Sequence, residues 1–141
     1  MKILVFSDIH GDRRALERLM ATEADLYIAA GDLSSWRRGL EGMGEVLASR
    51  ADRTWVMPGN HESEADVAAL CRQYGLRNFH GQSEVVDGIV IAGLGYSNPT
   101  PFDTPGEYSE AQLAQKLAEL AEARPQVVVC HCPPKGTLLD Q

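Results

Sequence analysis

Lys2-Ile3-Leu4-Val5-Phe6-Ser7-Asp8-Ile9-His10 carries a short, unbroken apolar run that stops abruptly at a carboxylate and an imidazole. Such a run reads as a strand buried on both faces, the kind found in parallel sheets. The same grammar returns further along. Residues 25–30 (Asp-Leu-Tyr-Ile-Ala-Ala) end at Gly31-Asp32, and residues 53–57 (Arg-Thr-Trp-Val-Met) end at Pro58-Gly59-Asn60-His61. Residues 126–130 end at His131-Cys132-Pro133-Pro134. Each of these four segments follows an apolar strand and presents oxygen or imidazole donors.

Helical patterns fill the intervals. Asp12 can cap a helix over 13–22, whose inner face holds Leu16, Leu19 and Met20. A helix over 40–50 buries Leu40, Met43, Val46 and Leu47, although Gly42 and Gly44 each weaken it by about 1 kcal/mol. Ser63 caps a third helix, striped by Val67, Leu70, Cys71 and Tyr74 and closed by Gly75. Short strands at 77–80, 83–86 and 89–94 then predict a β-meander, with Asp87-Gly88 as its clearest turn. A loop over 96–108, broken by Pro99, Pro101 and Pro105, leads to the capping box Ser109/Gln112. That box starts a helix over 110–123 carrying Leu113, Leu117 and Leu120. The order implies one α/β layered domain over 1–141, with its functional loops at the carboxyl ends of parallel strands.

Composition narrows the function. With 20 acidic and 13 basic side chains the formal charge is −7, so the basic footprint of a nucleic-acid binder is missing, and nucleic acid is a disfavoured though open partner. No apolar run approaches the roughly 18 residues of a membrane span. The short apolar start meets Ser7-Asp8 without a small-residue cleavage site, which reads as a cytoplasmic protein. Cys71, Cys130 and Cys132 form no disulfide framework and fit a reducing compartment.

Carboxylate, amide and imidazole donors together suit Mn, Fe, Zn or Ni better than a thiolate site. Asp8 and His10, two positions apart, would share a side of an extended segment. A carboxylate such as Asp32 can bridge two cations roughly 3.5–4 Å apart, which would clamp a phosphoryl oxygen and activate a shared water. Each fragment alone also reads as a cap or a turn. Their joint occurrence at four strand ends makes chance a poor explanation.

Asp8-x-His10, Gly31-Asp32, Gly59-Asn60-His61-Glu62 and His131-x-Pro133-Pro134 together resemble the successive signatures of the calcineurin-like metallophosphoesterases, over essentially the whole chain. The resemblance implies a layered α-β-β-α sandwich of two mixed sheets. It implies two divalent metal ions, Mn foremost, with Asp8 and His10 on the first, Asp32 bridging, and Asn60 and His131 on the second. It implies hydrolysis of phosphomono- or diesters by a metal-bridging hydroxide, with His61 assisting the leaving oxygen and Asp8 orienting His61.

The pattern departs from the family in one respect, because no Gly-His-x-His follows His131. The reading is therefore of a truncated form, incomplete at its C-terminus and weak or inactive by itself. An uncovered sheet edge would then invite pairing with a second copy. The alternative is a non-catalytic protein-interaction scaffold on the same fold. His80 reads as structural, and Cys130 and Cys132 as thiols turned away from His131 along the strand. Arg37 and Arg38 read as a solvated helix start rather than as phosphate contacts. Trp36 either walls a pocket or packs beneath its loop.

Overall fold

The computed structural model describes residues 1–140. Its strands are β1 (Ile3–Phe6), β2 (Leu26–Ala29), β3 (Thr54–Val56), β4 (Arg77–Asn78), β5 (Gln82–Val86), β6 (Ile89–Leu94) and β7 (Val127–Cys130). The helices are α1 (Arg13–Ala21), α2 (Leu40–Leu47), α3 (Glu64–Tyr74) and α4 (Glu110–Ala121). Three helix starts form as the sequence implies. Asp12 accepts the N–H of Ala15, and reciprocal capping boxes join Ser63 to Asp66 and Ser109 to Gln112. The helix expected over 40–50 stops at Leu47 and tightens into a 3-10 segment, Ala48–Arg53. Leu117 points outward, so the inner stripe of α4 is Leu113 and Leu120.

Two sheets stack with helices outside them. The first has the order β1-β2-β3-β4, all parallel, with Phe6 opposite Ala29 and Ala29 opposite Val56. The second has the order β5-β6-β7, antiparallel in the first pair and parallel in the second. Asp87 (φ 49°) and Gly88 (φ 78°) turn the β5–β6 hairpin with two successive left-handed residues. The expected meander does not form as one unit. β4 leaves it and pairs in parallel with β3, because the α3 crossover returns the chain beside that strand. Phe79 then enters the space between the sheets, fully buried, its ring 4.3 Å from that of Trp55.

One core lies between the first sheet and α1–α3, around Leu16, Tyr27, Leu47, Val56 and Val67. A second lies between the sheets, around Ile28, Met57, Phe79 and Ile91, and a third under α4, around Leu94 and Leu113. Burying each such side chain contributes about 1.5–3 kcal/mol, which fixes where the strand ends sit. β1 and β7 are the edges on one side of the sandwich, where Val5 is 47% and Val128 49% exposed. Among the described residues no helix is long and apolar enough to cross a membrane.

Candidate metal centre

The carboxyl ends of β1, β2 and β3 meet the end of β7 at one corner of the sandwich. The backbone there is unusual. Asp8 (φ 58°), His10 (φ 49°) and Asp32 (φ 55°) are all left-handed, a conformation that costs non-glycine residues of order 1–3 kcal/mol each and gathers at functional sites. Asp8 and His10 therefore do not share a side by extended alternation. The segment curls, and the curl brings Asp8 Oδ1 to 3.3 Å from His10 Nε2. It is stitched to the second strand end by Asp8 N–H to Gly31 O and His10 N–H to Asp32 O, both 3.0 Å. Gly31 and Gly59 let the second and third strand ends touch. A side chain on either would overlap the opposite loop, and one on Gly59 would strike the Asp32 carboxylate.

Asp32, 3% exposed, stands at the centre. Its Oδ1 accepts the N–H of His61 at 2.9 Å. Its Oδ2 lies 3.3 Å from His131 Nε2 and 3.7 Å from His10 Nε2. Donor atoms of Asp8, Asp32 and His131 all lie within 4.8 Å of one another, and so do those of His10, Asp32 and His61. Asp32 belongs to both sets. Asn60 joins through Oδ1, 3.1 Å from His131 Nε2. All six side chains picked out by the sequence thus converge.

The imidazoles are oriented from behind. His131 Nδ1 sits 2.9 Å from Ala30 O and His10 Nδ1 3.2 Å from Ser34 O. A carbonyl only accepts, so the His131 ring carries its proton on Nδ1 and turns its Nε2 lone pair inward, while His10 Nδ1 also meets the Ser35 hydroxyl at 3.1 Å. For His131 that lone pair then faces Asn60 Oδ1 and Asp32 Oδ2, which are also acceptors. Three acceptors converging on one point call for a cation or an added proton. This donor set fits divalent metal ions. His61 is arranged the other way. Its Nδ1 accepts the N–H of Trp36 at 3.0 Å, so Nε2 carries the proton. Asp8 bonds His10 and Ser7, so the group orienting His61 is this backbone N–H rather than the expected carboxylate.

Charge follows the same pattern. Burial alone would raise the pKa of Asp32, but hydrogen bonds from His131 and the His61 N–H outweigh it and hold it low. Burial would lower that of His131, and the Asp32 carboxylate overcomes this and raises it.

Glu62 received no role from the sequence, although it ends the Gly59-Asn60-His61-Glu62 run. It is fully buried and accepts the N–H groups of Asp32 (2.9 Å), Gly59 (3.2 Å) and Ser34 (3.3 Å), and the Ser34 hydroxyl (2.7 Å). Burial pushes its pKa up against these bonds. Glu62 ties the two loops that carry Asp32 and Asn60. Its place beside the ligand run was the only available signal.

Other expectations resolve around this centre. Trp36 is 48% exposed, with its ring edge-on to His61 at 5.5 Å, so it does not pack beneath its loop. The Arg37 guanidinium is held by Asp66 at 3.1 Å. Cys130 and Cys132 are half-buried thiols whose pKa values burial raises, and no candidate ligand group among the described residues includes a cysteine. His80 lies apart, bonded to Glu64, Tyr108 and the Gly95 N–H.

Comparison with known proteins agrees with this picture. The family model described as "Calcineurin-like phosphoesterase" matches residues 1–140. The uncharacterized protein MJ1162 of Methanocaldococcus jannaschii is 32% identical over 99% of this chain, which spans 64% of that relative's length. A family protein CutC of Xanthomonas campestris is 28% identical over 77% of the chain and 44% of its own. Among solved structures, TT1561 of Thermus thermophilus superimposes with a TM-score of 0.72 at 22% identity, covering 99% of this chain and 71% of that one.

Proposed function

The chain belongs to the calcineurin-like phosphoesterase family, and from that premise we propose that it is the metal-binding part of a metal-dependent phosphoester hydrolase acting on phosphomono- or diesters. One observation carries the reading: the buried Asp32 carboxylate stands amid donor atoms of Asp8, His10 and His131, and the His131 Nε2 lone pair faces it beside Asn60 Oδ1. Asp8, His10 and Asp32 would hold one divalent ion, and Asp32, Asn60 and His131 a second, with Mn²⁺ the foremost candidate and Fe, Zn or Ni alternatives. Two such ions would supply Lewis acidity, lowering the pKa of a coordinated water and neutralising charge on phosphoryl oxygens. Asp8 and Asp32 bring two negative charges, so the loaded pocket keeps a net positive charge and attracts an anionic phosphoester.

His61 is held with Nδ1 accepting the Trp36 N–H and its proton on Nε2, and one ring nitrogen lies within 4.8 Å of the His10 and Asp32 donor atoms, so its Nε2–H would donate a hydrogen bond to charge building on the leaving oxygen. The Trp36 backbone keeps that tautomer. The intact donor set argues against the non-catalytic scaffold reading. The chain spans 64% of the length of MJ1162. The exposed Val127 and Val128 on edge strand β7 support pairing there with a second copy.

The test is hydrolysis of an activated aryl phosphomonoester or diester by Mn²⁺-supplied protein. Activity should vanish with a chelator and fall roughly a hundredfold or more in Asp32→Ala and in His61→Ala. A loss of only a few-fold in both would remove this mechanism.

A further inference from the structure

A chain of hydrogen bonds outside the donor set decides which way Asn60 faces. Glu107 accepts four of them: from Thr100 N–H (3.0 Å) and hydroxyl (2.6 Å), and from Thr104 N–H (2.7 Å) and hydroxyl (2.6 Å). These bonds, the Thr100 and Thr104 hydroxyls first, hold its pKa down to about 2, so it is a carboxylate and only accepts. The Thr104 hydroxyl has one proton and gives it to Glu107. Towards Asn60, 3.3 Å away, it can offer only a lone pair. Asn60 must therefore present its NH2 group to Thr104, which leaves Oδ1 directed at His131 Nε2. An amide turned the other way would put two acceptors together at Thr104 and an NH2 in the cation pocket. Thr104 is 6% exposed, so water offers no ready substitute. The loop that carries it is fastened to the Asn60 loop by Gly106 N–H to Asn60 O at 2.8 Å.

We propose that Thr104, polarised by Glu107, is the positioning residue that fixes the Asn60 amide with its oxygen as the metal ligand. This inference rests on the assignment of Asn60 as a ligand made above. The proline-broken segment over 96–108 thereby holds a donor-acceptor polarity that runs from a surface-side carboxylate to the metal pocket. Outer partners of this kind tune metal affinity by roughly 10–100-fold.

Mn²⁺ affinity of the whole chain, measured by calorimetric titration, tests it without recourse to catalysis. Thr104→Val keeps the shape and removes the hydroxyl, so affinity should fall at least about tenfold. Thr104→Ser should restore it to within about threefold, an outcome a purely space-filling role does not predict. Glu107→Gln should weaken binding to a lesser degree, since its amide can donate to the hydroxyl and reverse the polarity. Asn60→Ala separates the two claims. If it leaves affinity unchanged, or if the unaltered chain takes up no Mn²⁺, the ligand assignment fails and this inference with it. If Asn60→Ala weakens binding while Thr104→Val folds and binds normally, the assignment stands and the positioning role is overturned. A Thr104→Val protein that does not fold leaves the decision to Thr104→Ser and Glu107→Gln: affinity unchanged in Glu107→Gln, or not held in Thr104→Ser, overturns it.

Discussion

His131 and His80 are equally sheltered, each with a side chain 7% exposed, yet they do opposite things. Behind His131 stands a carbonyl, which takes the Nδ1 proton and leaves Nε2 facing two oxygens as an unmatched acceptor. Behind His80 stands the N–H of Gly95, which occupies Nδ1 and puts the proton on Nε2, where Glu64 (2.8 Å) and Tyr108 (2.9 Å) receive it. Burial lowers the pKa of His80 beyond what Glu64 restores, whereas the Asp32 carboxylate raises that of His131. Burial alone therefore does not distinguish the proposed ligand from the structural histidine. The polarity of the backbone group behind the ring does.

The largest effect belongs to the residue both triads share. Asp32→Asn should lower Mn²⁺ affinity by roughly a thousandfold, about 4 kcal/mol, read by calorimetry. Exchanging the two histidines in turn gives the sharpest contrast. His131→Ala should cost affinity on the order of a hundredfold. His80→Gln should leave affinity alone and lower unfolding stability by about 1–3 kcal/mol, read from denaturant midpoints. Equal effects on affinity would break the comparison. Glu62→Gln sets an amide against four donors and should cost about 2 kcal/mol of stability, with affinity falling only as the two loops loosen.

The smallest effect is on pH. A histidine with its folded pKa below the unfolded value of about 6.5 binds its proton more readily when unfolded. Stability linked to His80 is therefore complete above that value and declines as the pH falls from about 6.5 towards its folded pKa. The slope should be absent in His80→Gln. Glu107 titrates elsewhere: its contribution is present above about 4.5 and is lost only as the pH falls through about 2. Imidazole NMR shifts for His80 and carboxyl shifts for Glu107 would separate the two windows.

Much of this was legible in the residues. Apolar runs ending in Asp, His and Asn located all six converging side chains, and Asp12, Ser63 and Ser109 announced their helices, because caps and strand ends are local events. What escaped depends on partners distant in sequence. β4 is two residues long, too short for any periodicity to name its neighbour, and the α3 crossover together with the burial of Phe79 beside Trp55 places it. Glu62 and Thr104 act through polarity across 30 and 44 positions of sequence, which no spacing rule reads. The curl at Asp8 and His10 was hidden because left-handed aspartate and histidine look like extended ones in a sequence. Leu117 kept the helical period and still faces water, since α4 is covered on a narrower stripe than its leucines suggest.

Cations are expected to occupy the corner where Asp8, His10, Asp32, Asn60 and His131 meet, and everything proposed for this chain depends on that. Anomalous diffraction from crystals grown with Mn²⁺ tests it directly. Density should appear within bonding distance of the Asp32 carboxylate and the Nε2 atoms of His10 and His131. Manganese found only elsewhere on the molecule at saturating metal, with no density at this corner, would contradict it.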